Sequence, residues 1–204
     1  MNTTIIAKNK DHLKRLIQTE IFNNGLQCDL NHIDVSNIVD MSSLFKESKF
    51  NGNISRWNVS NVENMGYMFH LSKFRGDISQ WNVSQVNNME EMFSNSYFNG
   101  DICNWNISNV KSMKCMFYFS YFNQNISNWD VTNVKNMNEM FRKSVFIQDL
   151  TDWKTYSATI YCSSNIFTEC SAPIPYWHYI EDKEERIFFL VLNIMKPIVM
   201  SKNY

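Results

Sequence analysis

The chain has 204 residues, 44% of them hydrophobic and 19% charged, with a net charge of −1. That excludes a disordered chain and leaves room for one domain or one capped repeat array. A near-neutral charge gives no global attraction to a phosphate backbone, so nucleic acid is not an expected partner.

The five cysteines (Cys28, Cys103, Cys115, Cys162 and Cys170) are odd in number and form no CxxC. Free thiols in a reducing compartment are the simpler expectation. The N-terminal residues MNTTIIAKNKDHLKRLI contain no uninterrupted apolar stretch and no cleavage site, which predicts a cytoplasmic protein. The most apolar run, IFFLVLNI at 187–194, is too short to span a bilayer, so no membrane association is expected.

Residues 1–32 are expected to form an N-terminal cap. Residues 3–7 are a short β-prone piece, and a helix is predicted from about Asn9 to Phe22. Leu13, Leu16, Ile17 and Ile21 share one face of it, and Asn24-Gly25 supplies its end. An amphipathic helix over the open end of a repeat array keeps that array soluble.

From 33 to 153 one pattern recurs about five times. Tryptophan falls at 57, 81, 105, 129 and 153, phenylalanine at 50, 74, 98, 122 and 146, and methionine at 41, 65, 89, 113 and 137. A fixed 24-residue step predicts a solenoid of about five to six units, each burying its apolar face against its neighbours. Within a unit, Trp57-Asn58-Val59 alternates like a very short strand. Ser60 is expected to cap a helical turn, with Glu63 completing a capping box and Val62, Met65, Met68 and Phe69 on one face. The fold class is therefore an α/β repeat with short parallel strands and helical turns. The column Asn53, Asp77, Asp101, Asn125, Asp149 is expected to bond backbone at a turn rather than to hold Ca²⁺. Residues between and beside the strand apolar positions should point outward. These are Asn58, Asn82, Asn106 and Asp130, with the neighbouring Arg56, Gln80, Asn104 and Asn128, and this row is the expected recognition surface.

Residues 154–204 are expected to hold a degenerate unit and a helical C-terminal cap. Leu150 and Trp153 keep phase, Ile166-Phe167 follows the Met-Phe pair two residues late, and Pro173 and Pro175 stop the array. The apolar run at 187–194 is either part of that cap or a surface for a partner.

The pattern F-N-x-[DN]-I-S-x-W-[ND]-V-S-N-V-x-x-M-x-x-M-F over roughly Asp34 to Trp153 resembles the BspA-like leucine-rich-repeat proteins, a domain of unknown function shared by mycoplasma surface lipoproteins and many other bacterial proteins. The resemblance implies a right-handed solenoid that binds other proteins. Many members look like surface or adhesion proteins, which makes a surface or secreted adhesin or effector the alternative function. The size and expected location here favour an intracellular binding protein, of which an inhibitor of a toxin or effector is one class.

Catalysis is not expected. His12, His32, His70 and His178 share no metal-like spacing, and no P-loop, GxGxxG, GxSxG or HExxH occurs. Two weaker constellations are a Cys28–His32 pair and a thiol or zinc site from Cys162, Cys170 and His178. His70 is expected at the surface. No cofactor is expected. The partner is expected to be a protein, and the open end of a stack also admits a homodimer.

Overall fold

The computed structural model describes residues 4–154, 165–175 and 178. The chain begins with strand β1 (Ile5–Ile6), continues into helix α1 (Lys10–Asn24) and then strand β2 (Ile33–Asp34), which pairs in parallel with β1. Asn9 caps α1 by accepting from the His12 amide, and Gly25 ends it at φ 84°, a conformation that favours glycine. Leu13 and Ile17 are buried and Leu16 and Ile21 pack beside them, so the predicted face of α1 is the one that covers the first unit.

Beyond β2 each 24-residue unit lies upon the next. Parallel bridges join Asp40 to Asn64, Asn64 to Asn88, Asn88 to Ser112 and Ser112 to Asn136. Equivalent rings stack directly: Phe45, Phe69, Phe93, Phe117, Phe141 and Phe167 form a ladder with centroids 5.5–5.9 Å apart. A second ladder runs through Phe50, Phe74, Phe98, Phe122 and Phe146 at 6.3–6.4 Å. The tryptophan, methionine, valine and isoleucine columns are buried beside them in one continuous core. Phe167 joins its ladder 26 rather than 24 residues after Phe141, the two-residue lag seen in the sequence. The helical cap expected within 154–204 lies outside the described residues apart from 154, 165–175 and 178.

The segment expected to be a helical turn is not helical. In the second unit, Tyr67 and Leu71 stand at φ 59° and 56°, and every later unit repeats this pair of left-handed residues. Successive β-turns result, closed by Met68 N to Met65 O, His70 N to Tyr67 O and Ser72 N to Phe69 O. The amides in between point along the stack. Met65, Tyr67, Phe69 and Leu71 donate to the carbonyls of Asn88, Glu90, Met92 and Ser94 in the next unit. Alternation between turn bonds and stacking bonds satisfies every amide of the segment, with Gly66 N donating to Asn64 Oδ1. The three- and four-residue apolar spacing of a helix arises here from turns, because a chain of turns also returns to the core every three or four residues.

Trp57-Asn58-Val59 is likewise not a strand. Asn58 Oδ1 accepts from Ser60 N, and Val62 N donates to Val59 O, so this stretch is a corner. The Ser60–Glu63 capping box does not form, since Glu63 N donates instead to Val39 O of the preceding unit.

Each coil is pinned at its corners by short polar side chains. Asn53 Oδ1 accepts from Ser55 N, Asn64 Oδ1 from Gly66 N, and Ser72 Oγ from Phe74 N. The column Asn53, Asp77, Asp101, Asn125, Asp149 takes the backbone role expected of it, each residue accepting from the amide two positions on. A buried serine column (Ser72, Ser96, Ser120, Ser144) completes the corners, and its signal in the sequence is the same residue at one phase of every unit.

Candidate binding surface

The eight residues expected to form the recognition row, Arg56, Asn58, Gln80, Asn82, Asn104, Asn106, Asn128 and Asp130, are all exposed. Four of them hold their own backbone. Asn58, Asn82, Asn106 and Asp130 each offer Oδ1 to the amide two residues later, at 3.1–3.2 Å. Asn128 Nδ2 donates to the Cys103 carbonyl of the preceding unit, and Gln80 bonds Ser79. This explains why the column barely varies from unit to unit. The row also borders two shallow clefts. One, of about 270 Å³, is lined by Asn128, Asp130, Asp152 and Lys154. The other, of about 410 Å³, lies against Thr4, Asp29, Asn31, His32 and Arg56.

Variation is concentrated on the turn-dense side instead. The left-handed position reads Ser43, Tyr67, Glu91, Cys115, Glu139, and the position three residues later reads Lys46, His70, Ser94, Tyr118, Arg142. Unlike residues in register meet here. His70, expected at the surface, is half-buried, with Nδ1 3.1 Å from Glu91 Oε2 and its ring edge on Tyr67. Burial lowers its pKa against the pull of Glu91. Burial together with the Glu91 and Glu90 carboxylates pushes the Tyr67 hydroxyl up to about 12. Burial and the nearby Glu91 and Glu139 push the Cys115 thiol up to about 11, which keeps it protonated and a poor nucleophile.

Next to these columns runs an apolar strip. Phe119 is 58% exposed, Tyr121 56%, Val145 50% and Ile147 54%. Tyr121 stacks on Tyr97 at 5.1 Å. Lys73 and Arg75 lie over the Tyr97 ring, at 5.1 and 5.3 Å from its centroid. The backbone beneath is fixed: Tyr97 N donates to Ser72 O, Tyr121 N to Ser96 O and Val145 N to Ser120 O. Large apolar side chains at variable positions on a fully bonded backbone are the signature of a contact surface. The strip was legible in the sequence as Lys49, Lys73, Tyr97, Tyr121, Val145, a phase whose residues change while its neighbours do not.

The described members of the two weaker constellations have the following surroundings. Cys28 is buried and its thiol is raised by that burial and by Glu20, while His32 Nε2 lies 3.4 Å from the Glu20 carboxylate. Cys170 Sγ bonds the Phe146 carbonyl and lies 3.6 Å from Ser144 Oγ, and His178 packs edge-on against Phe167. Cys162 lies outside the described residues. Among the described residues, no group of three His, Cys, Asp or Glu side chains is placed to hold a metal, and no helix is long and apolar enough to cross a membrane.

No curated protein and no solved structure matches the chain. A family model described as "Mycoplasma protein of unknown function, DUF285" matches residues 16–121 and 97–173, which together include all of the stacked units. The repeating, ladder-built chain described above therefore belongs to this bacterial repeat family of unknown function.

Proposed function

We propose that the chain is a leucine-rich-repeat-like, right-handed solenoid of the BspA-like type that acts as a non-enzymatic protein-binding module in the cytoplasm. Its partner is a protein, and a toxin or effector that it neutralises is the specific class. The observation that carries this reading is the exposed strip Phe119, Tyr121, Val145 and Ile147, set at variable positions on a backbone whose hydrogen bonds are internally satisfied. Such a surface binds without first ordering itself, which lowers the cost of association. The four described cysteines carry no disulfide, in keeping with a reducing compartment.

The test is affinity capture of the tagged full chain from its own cells, with mass spectrometry of what is retained. A single stoichiometric protein, lost with Phe119→Ser/Tyr121→Ser and kept with Arg56→Ala/Asn104→Ala, is expected. A partner retained by the first variant and lost by the second would return the site to the polar row. Recovery of the protein outside the cytoplasm would overturn the location and favour the adhesin class.

A further inference from the structure

The strip is not chemically uniform along the stack, and its gradient specifies what it fits. At one end, in the first two units, stand Lys49, Lys73 and Arg75, and among the described residues none of these makes an ion pair with a carboxylate. Lys73 and Arg75 instead lie against the Tyr97 ring. In the middle is the Tyr97–Tyr121 stack. At the other end, in the fourth and fifth units, are Phe119, Val145 and Ile147, each at least half exposed. The cations near that end are already engaged: Arg142 with Glu139, and Lys143 with Glu169.

We propose that this strip binds a linear protein segment with an acidic block followed along its length by an apolar block. The inference rests on the protein-binding reading and names the chemistry of its ligand. Uncompensated cations attract carboxylates and set orientation, while the desolvated aromatic and aliphatic end supplies the affinity. Four steps separate Lys49 from Val145, so at about 4.8 Å per step the strip is roughly 20 Å long. That length takes about six residues of extended chain or about thirteen of helix. A second copy of the chain is the competing occupant, since the apolar end alone would also be covered by self-association.

The probe is a fluorescently labelled twelve-residue peptide with an Asp/Glu block followed by a Leu/Phe block, titrated with the full chain and read by anisotropy. Controls are the same composition with the two residue classes interleaved, and an all-acidic peptide. The block peptide should bind about tenfold tighter than either control. Lys73→Glu/Arg75→Glu and, independently, Val145→Ser/Ile147→Ser should each weaken it by about tenfold while leaving the circular dichroism spectrum unchanged. Rising salt should weaken the parent complex and have less effect on what remains in Lys73→Glu/Arg75→Glu.

Equal binding of block and interleaved peptides, or indifference to both variants, overturns the proposal. So does a dimer in light scattering that is lost with Val145→Ser/Ile147→Ser, which would assign the strip to a second copy. Cellular capture separates this failure from that of the broader reading. A native partner lost with Val145→Ser/Ile147→Ser but kept with Lys73→Glu/Arg75→Glu sinks the acidic specification and leaves protein binding standing. A partner kept by both variants sinks the proposal and moves the binding site off the strip, whereas capture of no partner by the parent chain sinks the broader reading.

Discussion

The carbonyl oxygen of Ile78 accepts two hydrogen bonds, one from the Trp81 amide of its own unit at 3.2 Å and one from the Trp105 indole of the next unit at 3.1 Å. The same double acceptor recurs at Leu30, Ile54, Ile102 and Ile126. Tryptophan is therefore held at this phase by more than its volume. Its N–H clips one unit to the one before it, while its rings fill the core, as a buried indole donor requires.

Trp105→Phe should destabilise the chain. It removes the inter-unit bond, worth about 0.5–1.5 kcal/mol, and leaves a void where the second ring was. The Ile78 carbonyl keeps its Trp81 partner, so no acceptor is fully orphaned. A urea midpoint read by far-UV circular dichroism should fall. An unchanged midpoint would show that the indole bond adds nothing beyond packing.

Glycine at the return turn is needed to different degrees along the stack. A Cβ on Gly52 would fall 2.0 Å from the Cys28 carbonyl oxygen, which is backbone and cannot yield. On Gly76 it would meet the Phe74 ring at 2.7 Å and the Gly52 carbonyl oxygen at 3.2 Å, and on Gly100 only the Phe98 ring closely, at 2.8 Å. Gln124 and Gln148 occupy the same phase in later units. Gly52→Ala should cost more than about 2 kcal/mol, and Gly100→Ala much less. Melting temperatures of the two variants decide this, and equal losses would contradict the ranking.

Asn58→Ser, Asn82→Ser and Asn106→Ser test the row first expected to bind. Each loses the longer amide whose oxygen accepts from the backbone N–H two residues on, so the triple variant should lose stability by about 1–3 kcal/mol with little change in partner affinity. The core columns and the Asx column were legible in the sequence because periodicity alone locates them. The outward face of this row was also legible, but its use was not. An Asn that scarcely varies over four units is there for its own backbone, whereas Lys49, Lys73, Tyr97, Tyr121, Val145 varies because only the outside depends on it. The turns resemble a helix in the sequence because Met65, Met68 and Phe69 have the same spacing in both. Left-handed φ at Tyr67 and Leu71 decides between them, and neither residue type announces that conformation.

The left-handed positions lead to an unusual expectation. Leu71 stands at φ 56° with its side chain 47% exposed, and its amide is bonded to Ser94 O. For a non-glycine residue this conformation costs about 1–2 kcal/mol. Leu71→Gly keeps the amide, removes little packing and relieves that strain, while giving up part of the gain to a more flexible unfolded chain. It should therefore be neutral or stabilising by up to about 1 kcal/mol, and Leu71→Val should be destabilising, because a β-branched side chain tolerates this region worst. Chemical denaturation should place Leu71→Gly at or above the parent and Leu71→Val below it. The reverse order would mean that the leucine side chain contributes more packing than its exposure indicates.

Acid should loosen the corners in a way that follows from the same turns. The Ser36 and Cys103 amides hold the Asp34 and Asp101 carboxyls below the usual range, and the Thr132 and Thr151 hydroxyls with their amides do so for Asp130 and Asp149. A carboxylate with a depressed folded-state pKa adds stability above its unfolded pKa of about 3.9, and that stability is lost as pH falls through the folded value. The exposed setting of these groups keeps each contribution small. Asp101→Asn/Asp130→Asn/Asp149→Asn retains an acceptor at each corner without a titrating group, as Asn53 and Asn125 already do. Its stability should match the parent near pH 7 and decline less between about pH 4 and pH 2. Parallel acid limbs for the two proteins would place the acid sensitivity in other carboxylates, such as Asp40 in its pair with Lys10.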